Sequence, residues 1–367
     1  MNNVIAWRNV TSPLVKARTK NLLAVVCGIC IPLVAVGCGQ TPAASFRLNL
    51  VESSKQRLTS SQEQQVATIL AALFGTPDEP LAPPEIGLDS AKLKLAAGPV
   101  RSDIVGRKNG LYREHCSHCH GITGDGMGPT AAFLNPYPRD YRPGVFKFKS
   151  TERADKPTHD DLVMVLRNGL AGSSMPSFAL LSDAKIEALA EYVKYLSIRG
   201  EVELALMRAY FELDDEDQGV LPQSREFLFE EIIDPVSEMW AVADDAIIDV
   251  PDMPSGLDMV ASIAKGKELF YGNKANCVKC HGVSGLGDGQ ANDYDDWNKV
   301  VFQAHKTVEG AAEQAGKAST WEMSAEERDE YRIELAWLDR FETVLDGNAL
   351  RPRTIRPRNL RQGVYRG

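Results

Sequence analysis

The sequence predicts a mainly α-helical fold of two related domains, joined by a partly helical linker and preceded by an N-terminal export segment. Three observations support this prediction. A C-x-x-C-H pentapeptide occurs twice, at 116–120 and 277–281. Apolar residues recur in several segments at the spacing of one helix face. The stretch 138–147 aligns without a gap with 357–366, and internal similarity of this kind marks a duplicated domain.

The two pentapeptides carry the clearest chemical signal in the chain. C-x-x-C-H is the attachment sequence of a c-type haem, because two thiols at this spacing can add to the two vinyl groups of one porphyrin. The following His then serves as an axial iron ligand. We predict two covalently bound haem c groups, with two zinc knuckles or disulfides as the alternative interpretation. The predicted attachment residues are Cys116, Cys119, Cys277 and Cys280, and the predicted iron ligands are His120 and His281.

The N-terminus has the pattern of an export signal. Basic residues and no acidic ones precede Cys38, and the apolar run 22–36 has the length of a signal peptide rather than of a membrane span. Small residues lead into Cys38, as in a bacterial lipobox. We predict a signal peptide at 1–37 and lipidation of Cys38, with ordinary cleavage nearby or an uncleaved anchor as alternatives. All three place the domains outside the cytoplasm, on the periplasmic side of the cell envelope.

The charge balance is acidic. The full chain has a formal net charge of −9, and removal of the four basic residues in 1–37 leaves 37 Lys and Arg against 50 Asp and Glu, a charge of −13. A negative surface disfavours nucleic acid as a partner.

Residues 38–100 are predicted to be a tether that contains one helix. Ser60 and Glu63 have the spacing of a capping box, apolar residues follow at helical spacing from Val66 to Phe74, and Gly75 ends the run. Proline-rich chain then leads into the first haem domain.

The first haem domain is predicted at 101–199. A short helix enters Cys116, a loop rich in Gly and Pro follows His120, and a C-terminal amphipathic helix begins at Ser182. Between them lies a Gly-rich segment that ends in Met175-Pro176. We predict Met175 as the distal iron ligand, because a thioether is a soft donor that favours ferrous iron. A buried Met that only fills a gap is the alternative.

A linker is predicted at 200–262 and a second haem domain at 263–367. A helix should run from Gly266 into Cys277. The second domain contains an insertion at about 290–350, whose helix is capped by Ser324 with Glu327 three residues later.

The second domain differs from the first in its expected sixth ligand. Met175 lies 31 residues after Gly144, and the same offset from Gly363 falls beyond Gly367. We therefore expect either a truncated second copy or a different ligand. His305 is the leading substitute, Met253 and Met323 are others, and an open iron is a further alternative.

The second position of each aligned decapeptide is an arginine, Arg139 in the first copy and Arg358 in the second. A planar guanidinium matches a carboxylate, so each side chain is predicted to pair with a haem propionate. An arginine in a surface loop is the alternative.

These motifs resemble class I cytochrome c domains of the bacterial respiratory type. The residues that carry the resemblance are Cys119-His120-Gly121, Gly124 to Gly126, Pro138 to Tyr141, Gly169 to Phe178, and Ser182 to Ser197. The resemblance covers 101–199 and about half of 263–367. It implies compact helical domains and single-electron transfer.

The resulting functional hypothesis is a dihaem electron carrier held to the membrane by its lipid. It would accept electrons from a quinol-oxidising complex and pass them to a terminal oxidase or reductase. We expect an electron carrier or an electron-transfer subunit rather than an enzyme, and no catalytic residue is assigned. The alternatives are a dihaem peroxidase-like enzyme with an open second haem, and a cytochrome subunit fixed in a membrane oxidoreductase complex.

Overall fold

The computed structural model describes residues 43–102, 108–210, 212–213, 219–289, 294, 296–317, 324–354 and 357–363. The predicted signal peptide, Cys38 and Met323 lie outside these residues. Ser45–Gly367 forms one structural unit. Among the described helices, none combines the length and the apolar character that crossing a bilayer requires.

The part of the chain that the structure describes is helical apart from one short antiparallel ribbon and isolated bridges, which agrees with the predicted fold class. The helices are α1 (Leu50–Lys55), α2 (Ser60–Phe74), α3 (Ser90–Ala96), α4 (Leu111–His115), α5 (Ser117–His120), α6 (His159–Asn168), α7 (Asp183–Ala209), α8 (Asp234–Ala241), α9 (Met259–Tyr271), α10 (Val278–His281), α11 (Asp296–Lys317) and α12 (Ala325–Asn348). The ribbon pairs β1 (Arg101–Ser102) with β2 (Lys108–Asn109). A π-helix at Glu226–Ile233 and 3-10 turns at Pro84–Ile86, Ala131–Phe133, Ala243–Ala246 and Leu360–Gln362 complete the elements.

Helix α7 is the central element of the first domain. It begins after Ser182, as predicted, and its apolar face buries Ile186 and Leu189 completely. The helix runs without a break to Ala209, so the predicted domain boundary at 199/200 falls inside it. Gly200 lets the helix approach Arg142 closely, since a β-carbon at Gly200 would lie 2.4 Å from the Cα of Arg142.

Residues 45–97 are not a tether, contrary to the prediction. Apolar side chains of α2 and α3 belong to the same core as α7, among them Val66, Phe74 and Leu93. The Tyr195 hydroxyl of α7 donates to the Phe74 carbonyl. The helix cap also differs by one residue, since the capping box of α2 is formed by Thr59 and Gln62 rather than by Ser60 and Glu63. The sequence pattern showed the helix but not the surface that it covers.

Part of the predicted linker also belongs to this core. Ile232 and Ile233 of the π-helix and Trp240 of α8 are buried in the same cluster as α7. The first domain therefore extends well beyond the predicted range 101–199 on both sides.

The predicted insertion forms a helical hairpin of α11 and α12. The capping box at its second helix is confirmed, because the Ser324 hydroxyl accepts from the Glu327 amide at 3.2 Å and the Glu327 carboxylate accepts from the Ser324 amide. The hairpin packs on α1 through a second apolar cluster that includes Val51 and Phe341. The Trp337 indole donates to the Ser54 carbonyl at 2.8 Å.

The second pentapeptide has much less protein around it than the first. Helix α9 ends at Tyr271, ahead of Cys277, and none of its residues is buried. Val260 and Ile263 are 78% and 65% exposed. These apolar side chains of α9 are therefore largely uncovered in the described structure.

Candidate haem-binding sites

The structure brings together the residues predicted for the first haem site. A cavity of about 260 Å³ is lined by Cys116, Cys119, His120 and Met175, and Arg139 also lines it. Most of the remaining wall is apolar. It includes Leu134, Tyr137, Tyr141, Phe146, Leu162, Val165, Leu166, Leu170, Phe178 and Val193. Two thiols, an imidazole and a thioether around one apolar cavity are the donor set that a Met-ligated haem c requires.

The ring of His120 is held by the main chain. Its Nδ1 lies 3.0 Å from the Arg139 carbonyl oxygen, and because a carbonyl only accepts, this nitrogen carries the proton. The lone pair is then on Nε2, the nitrogen left for a metal. The ring also stacks on Tyr141 with a centroid distance of 4.6 Å. Burial lowers the pKa of His120 to about 4, so the imidazole is neutral and able to ligate at neutral pH.

The four cysteines of the pentapeptides are free thiols in this structure. Cys116 is buried and burial raises its pKa to about 12, while the Cys119 sulfur lies 3.3 Å from the Thr130 hydroxyl. A zinc knuckle needs several ligands that converge on one point. The described residues contain no group of three His, Cys, Asp or Glu side chains that could hold a metal ion in this way. The arrangement fits thioether attachment to a porphyrin better than the zinc or disulfide alternative.

Met175 is presented by a tightly folded loop. The Leu170 amide donates to the Met175 carbonyl at 3.1 Å, and the Met175 amide donates to the Ser173 hydroxyl at 3.2 Å. The loop starts at Gly169, whose φ is +66°, and a β-carbon there would lie 2.6 Å from Pro176. Glycine is required at such a position. The loop thus places Met175 at the cavity, as ligation of the iron demands.

The second pentapeptide repeats the main-chain geometry of the first. The Nδ1 of His281 lies 3.0 Å from the Arg358 carbonyl, as His120 does from that of Arg139. The Gly287 amide donates to the His281 carbonyl at 2.9 Å, and the corresponding bond from Gly126 to His120 has the same length. The duplicated sequence therefore builds the same histidine support twice.

The aspartate of the Gly-rich loop comes from a different position in each copy. The glycines correspond as Gly124 with Gly285 and Gly126 with Gly287, so Asp125 and Asp288 are not aligned. Both carboxylates nevertheless approach the glycine that follows the haem histidine. A β-carbon at Gly121 would lie 2.1 Å from Asp125 Oδ1, and one at Gly282 would lie 2.0 Å from Asp288 Oδ1. Both copies thus place a carboxylate next to this glycine, although the two aspartates occupy different positions in the sequence.

No described contact joins a candidate sixth ligand to the second pentapeptide. His305 lies on α11, whose buried residues Ala304 and Val308 belong to the apolar cluster between the hairpin and α1. His305 has no described contact with the His281 motif. Met253 is 77% exposed. The assignment of His305 stays a prediction.

The two predicted propionate arginines act in ways that the sequence analysis missed. In both, the carbonyl rather than the guanidinium supports the haem histidine. The Arg358 guanidinium donates to the carbonyls of Ala171 and Gly172 at 2.9 and 3.2 Å, on the Met175 loop of the first domain. Pairing of Arg139 and Arg358 with propionates stays a prediction. The ten-residue repeat was the signal that marked both positions.

Comparison with protein families matches both pentapeptide regions. Residues 106–193 match cytochrome c oxidase, cbb3-type, subunit III. Residues 263–335 match cytochrome c. The protein is a c-type cytochrome with two haem-binding domains.

The cytochrome was also compared with individual proteins. No curated protein matches it. A solved chain of the reducing HAO-like protein complex of Kuenenia stuttgartiensis is 25% identical, with a TM-score of 0.32. The match covers 49% of the cytochrome and 62% of that chain, so the cytochrome spans less than two thirds of its length.

An aromatic series behind the first site is a second feature that sequence analysis missed. In the cytochrome, the ring of Tyr141 stacks on that of His120. The ring centroid of Phe146 lies 6.0 Å from that of Tyr141, and the centroid of Trp240 lies 6.1 Å from that of Phe146. The Trp240 indole donates to the buried Glu201 carboxylate at 2.7 Å. Only Tyr141 and Phe146 fall inside the repeat that the sequence shows. Trp240 is 99 residues beyond Tyr141, and no local pattern connects them.

Proposed function

We propose that this cytochrome binds one haem c at each pentapeptide and transfers single electrons in a respiratory chain, on the outer side of the cytoplasmic membrane. The observation that carries the proposal is the paired support of His120 and His281, each held through Nδ1 by a main-chain carbonyl. That support leaves Nε2 available to iron in both copies. A bound haem supplies one-electron redox chemistry, and the chain holds and tunes it.

At the first site, the residues of this chain favour the reduced state. Met175 offers a soft thioether, and the cavity wall is largely apolar. Both features would raise the reduction potential of a bound haem, because an apolar environment disfavours the additional charge of ferric iron. Neutral His120 would serve as the other ligand without adding charge. Such a site suits a carrier that exchanges electrons with partners of moderately high potential.

Export and lipidation support the location in the proposal. The basic start, the apolar run and the small residues before Cys38 are features of the sequence alone. A lipid on Cys38 would hold the haem domains at the membrane surface, near a quinol-oxidising complex and a terminal oxidase or reductase. Substitution of Cys38 by Ala should move the protein from the membrane fraction to the soluble periplasmic fraction; retention in the membrane would contradict the anchor.

The haem assignment is tested by the mass of the matured protein. The wild-type chain should carry two haem groups, the double variant of Cys116 and Cys119 to Ser should carry one, and so should the double variant of Cys277 and Cys280 to Ser. The reduced protein should show the absorption bands of a c-type haem. A wild-type mass equal to that of the bare polypeptide would refute the proposal.

A second candidate is a cytochrome subunit fixed in a membrane oxidoreductase complex. It is favoured by the match of residues 106–193 to a family described as an oxidase subunit. Solubilisation of native membranes in mild detergent distinguishes the two: a fixed subunit should co-purify in constant ratio with other redox subunits, whereas a carrier should separate from them at moderate salt.

A further inference from the structure

A short segment of the second domain lies on the first domain. We call residues 351–354 and 357–358 the bridging segment. Two of the residues that it contacts, Leu134 and Tyr137, line the first haem cavity. The Arg353 guanidinium donates to the carbonyls of Leu134 and Ala132 at 3.0 and 2.7 Å, and it lies 4.2 Å above the ring of Tyr137. The Tyr137 hydroxyl donates to the Arg351 carbonyl at 3.1 Å.

The other end of the bridging segment reaches the Met175 loop. The Arg358 guanidinium donates to the carbonyls of Ala171 and Gly172. The approach is close, since a β-carbon at Gly172 would lie 2.3 Å from a guanidinium nitrogen of Arg358. Gly172 has a φ of +66°, a conformation that favours glycine. The missing side chain also leaves the space that the Arg358 guanidinium occupies.

Arg358 touches both haem sites through different atoms. Its carbonyl accepts from the His281 ring, and its side chain binds carbonyls three and four residues before Met175. A continuous path of hydrogen bonds and main chain therefore runs from the axial histidine of the second pentapeptide to the loop of the distal ligand of the first. Both carbonyls accept from the same nitrogen, Nη2, which can serve two acceptors because a guanidinium NH2 group carries two hydrogens.

We propose that the bridging segment docks the two haem-binding domains on each other, and that Arg358 is the positioning residue for electron exchange between them. The inference rests on the proposed function, in that both pentapeptides must carry haem. With haem bound at both pentapeptides, one electron lost by one haem would be gained by the other. Arg358 makes and breaks no covalent bond in this step; it fixes the relative placement of the two sites.

The test uses the full-length, haem-loaded protein and three variants. Arg358→Gln removes the guanidinium and its charge, and Arg358→Lys keeps the charge but loses the planar guanidinium. Arg361→Gln is the matched control, because the Arg361 guanidinium donates to the Ser284 carbonyl at 2.7 Å inside the second domain. Mass spectrometry counts the haems in each variant. Hydrogen exchange follows the amides of Leu170 and Ser173, and rapid partial reduction followed by optical detection measures electron equilibration between the haems.

We expect two haems in every variant. In Arg358→Gln, the loop amides should lose about tenfold in protection, the effect of losing charge-assisted hydrogen bonds at a partly exposed site, and electron equilibration should slow. Arg358→Lys should fall between this variant and the wild type, and Arg361→Gln should match the wild type.

Two results would overturn the inference while leaving the proposed function intact. One is Arg358→Gln with two haems, unchanged loop protection and an unchanged rate. The other is loss of the second haem from Arg358→Gln, which would assign Arg358 to haem retention. Failure of the proposed function is recognised separately, because the wild-type protein itself would then lack a haem.

Discussion

At the scale of single residues, the first haem site depends on His120 and Cys116, because burial determines the protonation state of both side chains. Burial keeps the His120 ring neutral and the Cys116 thiol protonated. A neutral imidazole with its Nδ1 proton given to a carbonyl is the form that binds iron. The protein therefore prepares the ligand through solvent exclusion and one hydrogen bond.

Substitution of Met175 by Leu tests the distal ligand. The variant should keep its haem but lose the far-red absorption of Met-ligated ferric iron, and its reduction potential should fall because the soft donor that favours ferrous iron is gone. Met164→Leu is the control, since Met164 is 53% exposed on α6. Spectra and a potentiometric titration measure both effects. A far-red band that survives in Met175→Leu would exclude Met175 as the ligand.

Glu201 should make the stability of the protein depend on pH. Its buried carboxylate accepts from Trp240 and pairs with the Lys156 ammonium. Burial raises the pKa of Glu201 above its ordinary 4.5 despite both partners, so the folded state binds more protons than the unfolded state between the two pKa values. Stability contributed by this group is present below pH 4.5 and is lost as the pH rises through the folded pKa.

The measurement is urea unfolding of the wild type and of Glu201→Gln at a series of pH values that begins below pH 4.5 and rises through the folded pKa of Glu201. Glutamine cannot titrate, so the difference in unfolding free energy between the two proteins should shift against the wild type as pH increases. A difference that is flat, or that shifts in favour of the wild type, would contradict the raised pKa.

At the scale of elements, the hairpin of α11 and α12 contributes packing to the N-terminal part of the chain. Its apolar stripe meets Val51 of α1, and the Arg340 guanidinium binds both the Leu58 carbonyl and the Glu63 carboxylate of the same region. The insertion of the second domain therefore closes over helices that come before the first pentapeptide.

Phe341→Ala should loosen this contact. Phe341 is 1% exposed, and truncation of a buried Phe costs about 3–5 kcal/mol. Ile333→Ala on the same helix is the control, because Ile333 is 65% exposed and surface changes usually stay within about 0.5 kcal/mol. Denaturant unfolding gives both values. Equal losses in the two variants would show that α12 does not pack as described.

At the scale of the whole molecule, the first domain is larger than a minimal haem unit. Its core takes residues from α2 and α3 before the pentapeptide, and from α8 after α7. A fragment of residues 101–199 would expose the side of α7 that these helices cover, whereas a fragment of residues 45–241 retains that core.

We therefore expect only the longer fragment to fold around one haem. The fragment 101–199 should have low helicity by circular dichroism and should retain little haem after export and maturation. The fragment 45–241 should show a cooperative thermal transition. Cooperative folding of 101–199 alone would mean that α2, α3 and α8 are accessories to a self-sufficient domain.

The sequence was sufficient wherever the signal is local. The pentapeptides, the Met175 loop, the start of α7 and the cap at Ser324 depend on residues within a few positions of each other, and the structure has them at the expected places. Their physical basis is ligand spacing, helix period and capping, all of which a single segment determines.

The sequence was insufficient wherever the partner is distant. The apolar face of α2 shows that something covers it, but not that the cover is α7, which begins 109 residues after the last residue of α2. The arginines of the repeat were predicted to act through their side chains. The role that both share belongs instead to the carbonyl, which accepts from the haem histidine. A carbonyl is present in every residue, so no letter of the sequence could mark it.

The separation of roles at the repeated arginine has a consequence for substitution. Since any amino acid can supply the oxygen that accepts from the imidazole, the support of the histidine does not depend on which side chain is present. Both copies keep an arginine, and in the second copy its guanidinium also contacts the Met175 loop of the first domain. The two roles belong to separate atoms of one residue, so the side-chain contact can be gained or lost while the imidazole keeps its acceptor.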